Sequence, residues 1–410
     1  MATTASRADE EGAALGGGQA AGAAGAAQGM PRALVLLLAL TSGAAVANLY
    51  YIQPLLNVVA RAFAVSDGTA GLLVTFAQVG YVAGLALLVP TGDLLERRRL
   101  IVSVLVAAAG ALAACALAPS FAVLAVALVG VGVLSVVAQI AVPLASTLAA
   151  PHERGRVVGT VMSGLLIGIL ISRTLSGLVA QLGGWRLVFA LAAGAMLALA
   201  LTVRRVLPEI APHSPGPYRA VLRSVLTLVG EERVLRRRML LGALGFANFS
   251  MLWTCVAFLL GGPHYRYDEA VIGLFGLAGA AGASVAPLAG RFADRGHGRR
   301  AQGVFLALVI AGWGLLALGV SSLPALIAGI VLLDFGVQGS HISNQAAIYA
   351  LRPEARSRLT TAYMVSSFLG GIAGSLLSTS FYAADGWSAV CMLGAAVAAG
   401  AVLVWALARR

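Results

Sequence analysis

Lysine is absent from this chain, and charge and cysteine are scarce. All 28 basic residues are arginine, and charged residues make up only 11% of the sequence. The absence of lysine excludes a P-loop lysine for nucleotide hydrolysis and a lysine that forms a Schiff base. The three cysteines all fall in apolar segments, where packing is a better interpretation than disulfide bonding. The five histidines show no metal-ligand spacing, so we expect no enzyme activity, no metal and no cofactor.

Long apolar segments account for most of the chain. Hydrophobic residues make up 60% of the sequence, and a membrane helix needs about 20 of them in a row to cross the hydrocarbon. Twelve such segments predict an all-α membrane protein with twelve transmembrane helices, which we call span 1 to span 12. They cover residues 33–54, 70–90, 100–118, 121–148, 157–181, 186–206, 239–261, 270–289, 301–320, 324–350, 359–381 and 387–408.

The second half of the sequence repeats the first at a spacing of 200 to 202 residues. Ala47-Asn48-Leu49 returns as Ala247-Asn248-Phe249, and Asp93 returns as Asp294. Further pairs follow in the same order: Arg156 and Arg358, Met162 and Met364, Gly168 and Gly370, and Trp185 and Trp387. A duplicated six-helix unit, with a pseudo-two-fold axis along the membrane normal, is a transporter architecture with its substrate site between the halves.

The repeat sets the expected domain boundaries. Residues 1–31 are rich in alanine and glycine, which predicts a disordered tail. Two six-helix bundles follow, over residues 32–206 and 239–410. A polar segment with four prolines and many arginines, residues 207–238, joins them.

The arginines are distributed unequally between the two predicted membrane faces. Three of them, Arg61, Arg186 and Arg266, are predicted on one face, and Arg173 lies inside span 5. All the others fall in the tails, the linker and the loops of the opposite face. By the positive-inside rule this distribution predicts that both termini and the linker are cytoplasmic, in a bacterial inner membrane. The net charge of +12 is thus explained by anionic lipid headgroups, and no nucleic-acid partner is expected.

Two copies of an acidic and basic loop pattern carry a resemblance to a known family. The first copy runs from Val89 through Asp93 to Arg97-Arg98, and the second runs from Gly290 through Asp294-Arg295 to Arg300. Two six-helix halves with these loops resemble the major facilitator superfamily, over about residues 32–408. The resemblance implies alternating access by two rocking bundles, monomeric function, and a cavity surrounded by spans 1, 4, 7 and 10.

The loop pattern also predicts a gate at the cytoplasmic face. A carboxylate at a helix end can pair with arginines or cap a neighbouring helix, and such contacts can form when this face closes. The expected gate residues are Asp93, Arg97, Arg98, Arg156, Asp294, Arg295 and Arg358. The alternative is a solvated charge cluster that only sets topology.

Span 5 resembles that of the proton-coupled drug antiporters. The glycine spacing of that branch is present in Gly164, Gly168 and Gly177, but Ser172-Arg173 occupies the place of its Gly-Pro, and span 4 lacks its intramembrane arginine.

Three ionisable residues lie deep inside predicted spans, where they are costly and therefore candidates for function. Asp334 is a candidate proton carrier on span 10, and His341 is a second candidate on the same helical stripe. Arg173 on span 5 either binds an anionic group of a substrate or neutralises Asp334 across the interface between the halves. The alternatives are a structural carboxylate, a neutral hydrogen-bonding histidine, and an arginine that snorkels to the surface.

Polar residues on the spans expected around the cavity complete the predicted substrate site. The candidates are Asn48, Tyr51, Gln78, Gln139, Arg173, Asn248 and Gln338. Tyr50 and Trp253 are possible pocket residues, with packing as the alternative. The sequence therefore predicts a secondary transporter in the lipid bilayer that binds a small-molecule substrate and protons. We favour proton-coupled efflux of a small organic molecule. The alternatives are uptake of an organic anion by symport and, more remotely, a membrane sensor without transport.

Overall fold

The fold is built from helices along the whole described chain. The computed structural model describes residues 30–150, 152–209, 218–283, 298–352 and 355–407, and no β-strand occurs within these ranges. The residues predicted to form the N-terminal tail lie almost entirely outside them. Eight of the described helices are long and apolar enough to cross a membrane, and two of these are 53 and 50 residues long.

The helices fall into two groups of six spans. In the first group span 1 consists of Arg32–Ala47, the 3₁₀ turn Gln53–Leu55 and Leu56–Phe63; span 2 is Asp67–Leu87, span 3 Arg97–Ala116, span 4 Phe121–Leu134 with Val137–Leu148, and Arg154–Val206 contains spans 5 and 6. In the second group span 7 is Arg233–Gly261, span 8 Glu269–Ala283, span 9 Gly298–Leu318, span 10 Leu323–Tyr349, and Arg356–Leu407 contains spans 11 and 12.

Each of the two longest helices contains a sharp break that separates two spans. Gly184, with φ of 78°, ends span 5, and Gly386, with φ of 68°, ends span 11. A left-handed backbone of this kind favours glycine, which has no Cβ to clash. The two breaks are 202 residues apart, so the repeat seen in the sequence returns in the backbone.

Glycines bring the helices of each half into close contact. Gly164 and Gly168 of span 5 face Ala39 and Gly43 of span 1 with no room for a side chain. Small residues let helix backbones approach in this way. In the second half Gly370 and Gly374 of span 11 pack in the same manner against Ala243 and Ala247 of span 7.

The two halves meet at one end of the spans, which we call the far face. The near face is the opposite one, where the described chain begins and ends. At the far face Asn57 donates to the carbonyl of Ala257, 200 residues away, at 2.6 Å. Thr174 of span 5 donates to the carbonyl of Gly273 in span 8 at 2.9 Å, and Gln181 to Asp268 at 2.6 Å. These contacts close the far face.

At the near face a helix from the segment that connects the two halves lies across the interface between them. It covers Tyr218–Glu231, and the segment before it, residues 210–217, lies outside the described ranges. Its Tyr218 hydroxyl donates to the carbonyl of Leu87 in the first half. At its other end Glu231 and the adjacent Glu232 form ion pairs with Arg352 of the second half, at 3.1 and 2.8 Å. The linker helix therefore contacts both halves.

Candidate functional site

Arg173 lies in an aromatic enclosure between the two halves. Its side chain is only 2% exposed, and its Nε donates to Gln53 Oε1 at 2.7 Å. The guanidinium carbon lies 4.0 Å from the ring centre of Trp253, 4.9 Å from that of Tyr50 and 5.4 Å from that of Phe249. Cation–π contacts of this kind stabilise a charge that has lost its water.

One hydrogen-bonding nitrogen of this buried guanidinium remains unused. Nη1 of Arg173 donates to the carbonyl of Ile169 at 3.4 Å. Nη2 is inaccessible to water and has no partner. A buried donor without an acceptor is costly, so this nitrogen is a candidate contact for a ligand.

Trp253 joins Arg173 to Asp334. Its indole Nε1 donates to both carboxylate oxygens of Asp334, at 3.2 and 3.3 Å, while its ring stacks against Arg173. No nitrogen of Arg173 lies within 4.0 Å of the carboxylate. Neutralisation of Asp334, one of the two roles predicted for Arg173, therefore does not take the form of a direct ion pair, because the indole occupies the space between the charges. We call Arg173, Trp253 and Asp334 the charged triad.

Span 8 leaves room for the charged triad by presenting glycines to it. A Cβ on Gly276 would lie 2.9 Å from the Cβ of Arg173. A Cβ on Gly279 would lie 2.5 Å from Asp334 Oδ2 and 2.9 Å from Trp253 Cζ2. All three distances are shorter than van der Waals contact, so a side chain at either glycine would displace the triad.

A cavity of about 390 Å³ opens between the halves at the near face. Spans 2 and 4 form one wall, spans 7 and 11 form the other, and the linker helix covers part of the mouth. Its lining is mostly apolar, with Arg97, Gln139, Arg358 and Thr361 as the polar members. The lining residues are Ala86, Val89, Pro90, Gly92, Arg97, Gln139, Ile140, Pro143, Val225, Leu226, Val229, Met239, Arg358, Thr361, Ala362 and Val365.

A series of aromatic rings separates this cavity from the charged triad. Tyr81 and Phe368 have ring centres 4.4 Å apart, as do Phe368 and Phe246. The series continues to Phe249 at 5.4 Å and to Trp253 at 6.4 Å. The rings come from both halves, so they fill the interface between the open cavity and the closed far face.

The two asparagines of the repeat do not face this interface. Asn48 is 1% exposed and its side-chain nitrogen contacts the sulfur of Met196 in span 6. Asn248 accepts a 2.6 Å hydrogen bond from Trp313 in span 9 and donates to the carbonyl of Leu244. Their prediction as cavity residues needs correction: each points toward the outer helices of its own half.

Tyr51 also does not line the cavity, where it was predicted. Its backbone carbonyl accepts from Ser176, and its ring belongs to the core of the first half. The adjacent Tyr50 takes the place beside Arg173 and packs edge-on against Phe249. The helix of span 1 ends at Ala47 and resumes through a 3₁₀ turn, so helical periodicity cannot assign a face to this segment.

The two predicted glutamines on spans 2 and 4 do lie at the interface. Gln78 donates to the hydroxyl of Ser250 in the other half at 2.9 Å, and its Oε1 is buried without a partner. Gln139 lines the near-face cavity and donates to the Tyr81 hydroxyl at 3.4 Å.

The polar stripe of span 10 divides into two environments. Asp334 belongs to the charged triad, and Gln338 lies one turn further along, partly buried. His341 shares a 3.0 Å hydrogen bond with the hydroxyl of Tyr363. That contact stays within the second half, so His341 does not reach the triad.

The predicted gate arginines are spread over the near face. Arg97 donates to the carbonyl of Gly92 at 3.1 Å and lines the cavity, and Arg98 pairs with Glu209. Arg358 also lines the cavity, whereas Arg156, its counterpart in the repeat, is exposed outside it. Asp294, Arg295 and the side chain of Asp93 lie outside the described part of the structure, so their roles stay predictions.

Sequence reasoning missed Gln53 and Phe249 and weighed Tyr50 and Trp253 only as possible pocket residues. Phe249 and Trp253 are four residues apart on one continuous helix, so they share a face. That spacing was the available signal.

Comparisons with known proteins agree with this architecture. The sequence matches the family model described as Major Facilitator Superfamily, over residues 35–316 and 243–410. It is 51% identical to the putative uncharacterized transporter YgaY of Escherichia coli K12, over 91% of this chain and 95% of that protein. It is also 28% identical, over 58% of each chain, to the chloramphenicol efflux pump Rv0191 of Mycobacterium tuberculosis.

A solved structure of low sequence identity shares the fold. A bacterial homolog of the human lysosomal transporter Spinster, in an inward-facing and occupied conformation, superposes with a TM-score of 0.73 at 17% identity and covers 91% of this chain and 96% of that one. The repeat, the two six-helix halves, the cavity between them and these matches lead to one assignment. This chain is a multi-pass membrane transporter, not an enzyme, and it belongs to the major facilitator superfamily.

Proposed function

We propose that this transporter exports small, mostly apolar organic molecules in exchange for protons. The observation that carries the proposal is the cavity of about 390 Å³, open at the near face while the far face is closed. Its lining offers apolar contact with a few polar groups, the usual character of a small-molecule site. The similarity to a protein named as a chloramphenicol efflux pump supports the same direction of transport.

In this proposal the near face is cytoplasmic, and the two halves, about residues 32–206 and 239–410, rock as domains of a monomer in the bacterial inner membrane. The arginine distribution supports this orientation. A cavity open at the near face then collects substrate from the cytoplasm or the inner leaflet.

Asp334 is the proposed proton site. It is 3% exposed, it receives hydrogen bonds only from Trp253, and it has no cation in direct contact among the described residues. Intramembrane carboxylates in such settings serve as proton relays in pumps and transporters. His341 is the less favoured carrier, because its hydrogen bond to Tyr363 lies away from the interface.

Everted membrane vesicles provide the test. Vesicles that contain the protein and are acidified inside should accumulate a substrate from a panel that includes chloramphenicol. Collapse of the pH gradient should release it, and vesicles without the protein should show no accumulation. Accumulation that ignores the gradient would contradict proton exchange, and a panel without any substrate would contradict export of this compound class.

Uptake of an organic anion is a second candidate function. The unpartnered Nη2 of Arg173 favours it, since a carboxylate could accept that hydrogen bond. Right-side-out vesicles that are acidic outside should then accumulate organic anions. Arg173→Gln should abolish this accumulation and leave transport of neutral compounds unchanged.

A further inference from the structure

We infer that Trp253 couples the charge of Asp334 to closure of the far face, through its contact with Arg173. The inference rests on the proposed proton site at Asp334 and adds a positioning residue to it. Trp253 itself exchanges no proton. Its indole N–H and its ring face serve two different partners, and those partners belong to different halves of the transporter.

The first part of the argument is the division of contacts across the interface. Asp334 and Trp253 lie on spans 10 and 7 of the second half, whereas Arg173 lies on span 5 of the first. The ring of Trp253 is the nearest of the three aromatic faces around the guanidinium, at 4.0 Å. The orientation of the indole is set by two hydrogen bonds to the carboxylate. Asp334 therefore fixes the orientation of the indole ring that contacts Arg173 of the opposite half.

The second part is the position of this contact beneath the closed face. Thr174 follows Arg173 directly and donates to the carbonyl of Gly273 in span 8. One turn further along span 5, Gly177 packs against the backbone of Glu269, the first residue of that span. A shift of Arg173 would move these interface contacts with it, because all three residues belong to one helix.

The electrostatic surroundings of Asp334 are simple. From span 5 it faces Arg173, and the ring of Tyr50 in the first half contacts the same guanidinium. Span 7 contributes Trp253, and span 8 presents Gly279. On its own helix the next titratable side chain is His341, which is bonded to Tyr363. Within the described residues, no second acid competes for the indole N–H.

The coupling follows from one proton transfer. An ionised Asp334 accepts the indole N–H with both oxygens and attracts Arg173 through the ring. When a proton binds to one carboxylate oxygen, the negative charge is lost, and a charge-assisted hydrogen bond becomes a weaker neutral one. The indole is then no longer held against Arg173, and the far face opens more readily. Ionised Asp334 thus favours the closed far face, and protonated Asp334 favours the open one.

The experiment measures the far face directly and needs no substrate. Spin labels on cysteines at Ala62 and His264, both exposed at the far face in opposite halves, report its opening by pulsed EPR of the full chain in nanodiscs. In the parent protein the ratio of open to closed far face should rise about tenfold between pH 8.5 and pH 5.5, within the usual range of coupling between two sites.

Trp253→Phe keeps a ring against Arg173 but removes the N–H. We expect this variant to lose most of the tenfold response. The matched control is Trp313→Phe, which also removes a buried indole N–H, the one that donates to Asn248, and it should keep the full response. Gly279→Ala provides a second disruption of the same contact if Trp253→Phe does not fold, and it should reduce the response as well.

The outcomes separate this inference from the proposed proton site. A normal response in Trp253→Phe, together with a lost response in Asp334→Asn, would overturn the role of Trp253 and leave Asp334 as the proton site. Where Trp253→Phe does not fold, a normal response in Gly279→Ala would overturn it equally. A normal response in Asp334→Asn would remove the proton site and the inference together. An equal loss in Trp313→Phe would show a general packing effect and would also overturn the inference.

Discussion

The two seams at which the halves meet are related by the repeat but carry different chemistry. Spans 5 and 8 form one seam, where Arg173 lies buried against aromatic rings. Spans 2 and 11 form the other, where Ser375 occupies the position 202 residues after Arg173. Its hydroxyl accepts from Thr75 at 3.0 Å and from Thr254 at 3.4 Å. One seam therefore buries a charge, whereas the hydrogen bonds of Ser375 in the other join neutral hydroxyls.

This difference shows where a duplicated architecture has become specialised. A neutral hydroxyl seam can slide between arrangements at low cost, since each hydrogen bond contributes only about 1 kcal/mol. A buried guanidinium responds strongly to any nearby charge, because the surroundings screen it poorly. In our proposal the 5–8 seam therefore senses the proton, and the 2–11 seam gives passive support.

Substitution at the two equivalent positions should give the largest contrast. Among the described residues Arg173 is the cation that acts on the buried carboxylate, so Arg173→Ala should destabilise the protein by about 3 kcal/mol or more. Ser375→Ala should cost about 1 kcal/mol. Thermal unfolding in detergent can be followed through the three buried cysteines, which react with a thiol dye only after exposure.

A double substitution sharpens this first comparison. Arg173→Ala with Asp334→Ala removes both charges and should recover much of the lost stability, since an uncompensated buried charge is the main cost. If Arg173→Ala proves no less stable than Ser375→Ala, the buried charge is not a structural requirement of the 5–8 seam.

Crowding the two seams should produce a smaller but distinct effect. Gly279→Ala places a methyl group against the charged triad, and Gly71→Ala places one against Thr379 of the other seam. Overpacking typically costs about 1–3 kcal/mol at either site. Only Gly279→Ala should also abolish transport driven by a pH gradient. Equal transport losses in both variants would indicate that general packing, rather than the triad, is the sensitive feature.

A third comparison concerns the repeat-related arginines of the near face. Arg358 lines the cavity, whereas Arg156 is exposed outside it. We expect Arg358→Gln to change the apparent KM of transport about tenfold, equivalent to about 1.4 kcal/mol. Arg156→Gln should leave it unchanged. Similar KM values for both variants would return Arg358 to the role of a charge that only sets topology.

The smallest effect is expected at the rim of the 5–8 seam. Arg61 pairs with Glu269 at 2.8 Å, but the arginine side chain is 67% exposed. Exposed ion pairs contribute about 0–1 kcal/mol. Arg61→Gln should therefore lower the thermal stability only slightly, and added salt should remove the difference from the parent protein. A large loss of thermal stability would indicate that this exposed ion pair, rather than the buried triad, contributes most of the free energy that keeps the far face closed.

Much of the fold could be predicted because membrane physics leaves few choices. Apolar runs of span length must form helices, and the repeat of Gly168 in Gly370 and of Trp185 in Trp387 indicates duplicated packing. It was harder to predict that each of the two longest helices continues from one span into the next. Their breaks at Gly184 and Gly386 depend on left-handed backbone angles, for which glycine is necessary but not diagnostic.

The site was less predictable because side-chain direction is set by neighbours. Asp334 and Arg173 were identifiable as costly intramembrane charges. The indole that separates them could not be predicted, because nothing in the sequence fixes the distance between spans 5 and 10. Asn48 and Asn248 occupy equivalent positions in the two repeats. That equivalence could be read from the sequence, but it does not show that each side chain faces its own half.

The most direct test compares two kinds of transport in one set of proteoliposomes. Gradient-driven accumulation requires proton coupling, whereas counterflow exchange of labelled for unlabelled substrate does not. We expect the parent protein and Ser375→Ala to perform both. Asp334→Asn should retain counterflow and lose gradient-driven accumulation. If Asp334→Asn still accumulates substrate against its gradient, the charged seam is not the coupling element of this transporter.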